Sequence, residues 1–126
     1  MKLTYIKNNL VLGLIVAALL GVWQGCKKEE LVTVKYTVTG SQSNGVYDIE
    51  YHTENGKKNK VDDHPGDWEF EKKMEKDNRF VLKASHGKNA PAANELFIAI
   101  YIDGLRVDDD EIKPGDGKTE AIAVYN

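Results

Sequence analysis

Several groups of side chains in this 126-residue chain are of types that can do chemistry. Cys26 is the only thiol, a nucleophile that can be acylated. Asp108-Asp109-Asp110-Glu111 and Asp116 concentrate carboxylate oxygens, the donors that calcium takes. His52, His64 and His86 supply imidazoles, and Ser41, Ser43 and Ser85 supply hydroxyls. Tyr36, Tyr47, Tyr51 and Trp68 are aromatic rings on which a sugar or lipid could lie.

Spacing then separates these groups. The acidic run lacks the EF-hand pattern and any nonapeptide repeat, so a solvated acidic loop is the expectation and a calcium site the alternative. Zinc needs three or four convergent ligands, and no second cysteine or close pair of histidines exists. The three histidines are therefore expected at the surface. No serine sits in a G-x-S-x-G setting, and no phosphate loop or dinucleotide fingerprint is present. The aromatic residues recur at period two, which places them in a core more often than on a ligand platform. The expectation is a protein that is not an enzyme, with no catalytic residue, no metal and no cofactor. Its exposed candidates for contact are Ser41–Asn44 and Ala90–Asn94.

Cys26 is distinguished by what precedes it. Lys2 and Lys7 form a basic head, and Leu10 to Trp23 is an unbroken apolar run of 14 residues, with no acid before Glu29. A bilayer span takes about 20 residues, so this run is short for a membrane helix and suited to an export signal. An uncleaved anchor helix is the alternative. The Gly25-Cys26 junction resembles a bacterial lipoprotein signal, with Trp23 and Gln24 in the places that usually hold leucine and a small residue. That resemblance implies removal of residues 1–25 and lipidation of Cys26. Residues 26–30 would then be a charged tether. Cys26-Lys27-Lys28-Glu29-Glu30 is similar to the export tag of surface lipoproteins in Bacteroidota, with Lys28, Glu29 and Glu30 as its charged members. The implied location is the outer membrane, lipid-anchored at the cell surface, with the periplasmic face as the alternative.

Removing the first 25 residues takes away two lysines and no acid, leaving 15 cations against 20 carboxylates, a net charge of −5. Phosphate binding needs a basic face, so nucleic acid is not an expected partner. The expected partners are the membrane, through acyl chains on Cys26, and an envelope protein, with no ligand specified.

Residues 31–126 must position whatever acts, and their period is two. Val32, Val34, Tyr36 and Val38 alternate with polar residues, as do Tyr47, Ile49 and Tyr51. Asn55-Gly56 and Asp103-Gly104 are tight-hairpin pairs. Lys57 to Val61 reads as a lysine-protected edge strand, and Asp62 to Gly66 as a break. Trp68 onward reads as a strand that bends or leaves the core at Lys72, with a short helix as the competitor. Phe80 to Ala84 gives another strand. Leu96 to Ile102 is apolar on both faces and is expected to be a central strand covered on both sides. Asp108 to Gly117 reads as an acidic, turn-rich excursion before a last strand from Lys118 to Tyr125. Seven or eight strands in one domain predict an all-β, antiparallel, immunoglobulin-like sandwich.

Val34–Ser41, Ile49-Glu50-Tyr51, Asn55-Gly56, Pro65, Trp68 and Ile98–Gly104 come in an order that resembles the extracytoplasmic β-sandwich of the MmpS family. Members are small membrane-anchored proteins that accompany lipid exporters in mycobacteria. The resemblance implies the sandwich fold and, as a functional alternative, an accessory role in envelope lipid or small-molecule transport. This chain departs from the family in having a lipoprotein-type cysteine in place of an anchor helix, and in lacking paired cysteines near its end.

Overall fold

The computed structural model describes residues 30–88, 90 and 94–126. The signal segment, Cys26, Lys28 and Glu29 lie outside these residues. Eight strands follow one another: β1 (Leu31–Gly40), β2 (Val46–His52), β3 (Lys58–Pro65), β4 (Trp68–Glu75), β5 (Phe80–His86), β6 (Leu96–Ile102), β7 (Leu105–Ile112) and β8 (Ala121–Tyr125). They form two four-stranded antiparallel sheets, ordered β4-β1-β6-β7 and β3-β2-β5-β8. β1 to β5 take the places of strands B, C, C′, E and F of an immunoglobulin sandwich, and the fold is of that kind.

The inward phases meet between the sheets. Val34, Tyr36, Val38, Tyr47, Met74, Leu82, Leu96, Ile98 and Ile100 have no exposed surface. Both hairpin pairs do what their chemistry suggests. Asn55 and Gly56 have φ of 60° and 70°, and Asp103 and Gly104 have φ of 50° and 83°. These are the left-handed values that a tight turn between twisted strands demands.

Four local expectations are corrected. β3 does not stop at Asp62 but continues to Pro65, because Asp62 and Asp63 together oppose Asp48 in a bulge. Asp63 has φ 53° there and donates its N–H to the Asp48 carboxylate at 2.9 Å. Pro65 is tolerated because β3 is an edge, where a missing donor breaks no ladder.

Nor does β4 bend at Lys72. Its pairing with β1 runs without a shift from Glu75–Leu31 to Trp68–Val38. Lys72 is on the inward phase of an edge strand, so its long side chain leaves sideways and meets Glu54 of the opposite sheet's hairpin at 3.4 Å.

The largest correction concerns Asp108 to Glu111, which belong to β7 and not to a loop. A bulge between Ile100 and Tyr101 resets the phase, so Asp108 faces inward opposite Ile100 and Asp110 opposite Ile98. Asp108 accepts the Val124 N–H at 2.7 Å and Asp110 the Ile122 N–H at 2.9 Å. Two carboxylates thus stand in for the missing strand between β7 and β8 and join the edges of the two sheets.

Finally, β6 is an inner strand, but among the described residues its outward face carries no second layer. Ala99 is buried there, while Phe97 lies under Arg106 at 5.9 Å and Tyr101 under Lys35 at 5.7 Å. Long cationic side chains of neighbouring strands supply the cover.

The Asp110 seam makes stability depend on acid. Desolvation raises the Asp110 carboxyl, but hydrogen bonds from Lys118 and from the Ile122 and Glu111 backbone outweigh it and hold it below 3.8. A carboxyl lowered on folding stabilises fully above its unfolded value, and that contribution disappears as pH falls through the folded value. Asp110→Asn is therefore expected to be less stable than wild type at pH 7, with the difference shrinking below about pH 4. Urea midpoints across that range check it, and a constant difference would remove Asp110 from the acid response.

Candidate functional site

The sandwich has two ends. The end at which β1 begins carries Glu30, the turn after β4 and both tight hairpins, since Lys76 N–H donates to the Glu30 carbonyl and Asp103 N–H to that of Thr33. Of the expected export-tag residues only Glu30 is described. It is exposed and lies 3.6 Å from Lys76, an ion pair open enough to contribute little.

The far end collects the connections β1–β2, β3–β4, β5–β6 and β7–β8. Here the structure sets Asn94, the last residue of one stretch expected to be exposed, against the other stretch, Ser41–Asn44, while residues 91–93 lie outside the described residues. Asn94 is buried, and its carboxamide oxygen accepts the Ser41 hydroxyl at 3.0 Å and the Gln42 N–H at 3.1 Å. Its amide donates to the Tyr47 hydroxyl at 2.9 Å, and Ser41 in turn accepts the Glu95 N–H. Gly40 and Gly45 flank the Tyr47 hydroxyl, and a Cβ at either would overlap it. So the loop 41–45 is a fixed shelf, built on a buried tyrosine.

Beside this shelf is a groove of about 450 Å³, lined by His86, Asn94, Ile112 and the loop 113–119. Asp116 shapes that loop by accepting the N–H groups of Lys113 and Lys118, both at 2.8 Å. The same two backbone donors hold the Asp116 carboxyl below its ordinary value. His86 stacks obliquely 6.0 Å from the Tyr47 ring, and its Nδ1 is buried without a hydrogen bond among the described residues. The groove can take a small polar ligand or a loop of another chain.

A second depression, about 260 Å³, lies on the outer face of the β3-β2-β5-β8 sheet between Asp48, Glu50, Lys60, Asp62, Lys83 and Glu120. Part of its charge is already engaged, with Lys83 3.8 Å from Glu50 and Asp48 accepting the Asp63 N–H. It is a solvated face.

The histidines are not simply superficial, as all three are half-buried. Burial lowers the His52 imidazole below 6.5, and the Tyr36 hydroxyl donates to the carbonyl of the same residue at 2.7 Å. His64 contacts the Gly66 carbonyl at 3.2 Å. Tyr36 and Tyr47 are core rings, whereas Tyr51 and Trp68 are half-buried and pack at a tilt of 48° with centroids 5.0 Å apart and Phe70 beside them. They close the gap between β4 and the β2–β3 hairpin. Among the described residues no three acidic, histidine or cysteine side chains converge to hold a metal ion. Among them, too, no helix is long and apolar enough to cross a membrane.

Sequence reasoning missed the Tyr47–Asn94 pair, and the only signal for it was a turn bracketed by two glycines. No protein family and no curated protein matches this chain.

Proposed function

We propose that the chain is a lipid-anchored, non-enzymatic binding or assembly module of the cell envelope. Cys26 carries the acyl chains on the outer membrane, and residues 28–30 act as an export tag to the cell surface. The observation that carries this reading is the short distance in sequence between the two parts. A basic-apolar head ends at Cys26, and the first strand of a sandwich starts at Leu31. The far end of the sandwich, with its fixed shelf and groove, is then the contact surface. The absence of a catalytic role is supported by the occupation of Asp108, Asp110 and Asp116, whose carboxylates all serve backbone N–H groups.

Mass spectrometry of the native protein tests the anchor. The expected mass begins at an acylated Cys26, and an intact 1–25 segment overturns it. Protease treatment of whole cells should cleave the domain if it is at the surface and spare it if it is periplasmic.

The second reading is an accessory subunit of an envelope lipid or small-molecule transport complex, as the MmpS resemblance implies. It is favoured by β4, an eight-residue edge without proline, glycine or bulge. The other edges are more strongly protected: β3 has its bulge and Pro65, and β7 and β8 are joined through Asp108 and Asp110, whereas β4 has only its lysines, Lys72 among them on the inward phase. A partner strand could add to β4. The same detergent extract decides, since only this reading yields a large membrane transporter with the protein.

A further inference from the structure

We infer that the anchor-side end of the sandwich rests on the lipid bilayer, with Leu31, Leu105 and Tyr125 entering its interface. This rests on the lipid-anchored reading of Cys26. Four residues lie between Cys26 and Leu31, and the five Cα–Cα steps can span at most about 18 Å. The ten-residue strand β1 is about 33 Å long. A tether about half the height of the domain cannot let the sandwich turn over, so the end bearing Glu30 is kept close to the membrane.

The surface of that end suits the position. Among the described residues four large apolar side chains are exposed: Leu31 at 59%, Leu105 at 71%, Ile122 at 43% and Tyr125 at 37%. Three of the four are at the anchor-side end. Leu31 opens β1, Leu105 follows the Asp103-Gly104 turn, and Tyr125 closes β8 opposite Phe80. Isolated surface leucines need no explanation, but their gathering at the tethered end does. Tyrosine with an apolar body and a polar tip is the residue type enriched at membrane interfaces. Charge does not drive the contact. Lys57, Lys76 and Arg79 are interleaved with Glu30, Glu54 and Asp77 on the same end, so the attraction is apolar and indifferent to salt. The consequence is directional: the Ser41–Gln42 shelf and the 113–119 groove point away from the lipid, where a partner can reach them.

The test uses the full acylated protein in phosphatidylcholine vesicles whose acyl chains carry bromine, a quencher of tryptophan emission. Leu105→Trp is expected to lose much of its added emission in these vesicles, at low and high salt alike. Asn44→Trp, at the far end, is expected to lose none. Unchanged urea midpoints establish that both variants are folded. If Cys26 is acylated and the protein floats with the vesicles, yet Leu105→Trp is not quenched, the docking fails while the anchor stands. If Asn44→Trp is quenched instead, the orientation is wrong. A mass without acyl chains on Cys26 overturns both.

Discussion

Truncating Ile98 to alanine is expected to lower stability by roughly 2–5 kcal/mol. Ile98 has no exposed surface, and its position in β6 sets it beside Val38 of β1 and opposite the second sheet. The lost methyl and methylene groups leave a void that two hydrogen-bonded sheets cannot collapse to fill, so a cavity cost adds to the transfer cost. Ile100→Ala should behave alike, since Ile100 is equally buried beside Tyr36. Against a total of about 5–15 kcal/mol, either loss is large. Lys58→Ala on the exposed edge strand β3 should stay within about 0.5 kcal/mol. Urea unfolding compares the three. If both isoleucine variants prove as mild as Lys58→Ala, β6 does not form the packed interior.

Gly40→Ala is expected to cost about 1–3 kcal/mol or more, a large effect for one methyl group. The backbone there is not left-handed, so the cost is steric and not conformational. The new Cβ would overlap the Tyr47 hydroxyl and stand 2.8 Å from the ring carbon that bears it. Tyr47 cannot step aside cheaply, because it is wholly buried and its hydroxyl holds the Asn94 amide. Gly45→Ala should act similarly, its Cβ lying 2.6 Å from the same ring carbon. The argument has a distinctive signature in Tyr47→Phe. That change alone strands the Asn94 amide and costs about 1–3 kcal/mol. It also removes the atom with which a residue-40 methyl collides. The double variant should therefore be clearly less destabilised than the sum of the singles. A sum that adds to within about 0.5 kcal/mol would mean that the two sites do not touch.

Much of this protein is local in origin and so legible in its sequence. Period-two alternation from Leu31 to Thr39 and from Tyr47 to Tyr51 specifies half-buried strands, because successive side chains on a strand face opposite ways. Asn55-Gly56 and Asp103-Gly104 specify their turns, because few residues accept positive φ. Alternation in Trp68–Glu75 prevails over the helix propensity of its glutamates and lysines, because the ladder with β1 satisfies every backbone group on one side.

Tertiary structure alone decided which polar residues on an apolar phase were structural. Lys72, Asp108 and Asp110 interrupt their hydrophobic patterns and look like breaks when only neighbours in sequence are considered. They are on edge strands, where an inward side chain can leave the core sideways and reach the other sheet. Edge position depends on strand order, and strand order depends on contacts far apart in sequence. The same holds for Asn94, which has the composition of a loop residue and becomes a buried pillar 47 positions from the Tyr47 hydroxyl that it holds. Closing the sandwich is what brings those two together, since only there do the β1–β2 and β5–β6 connections share one end.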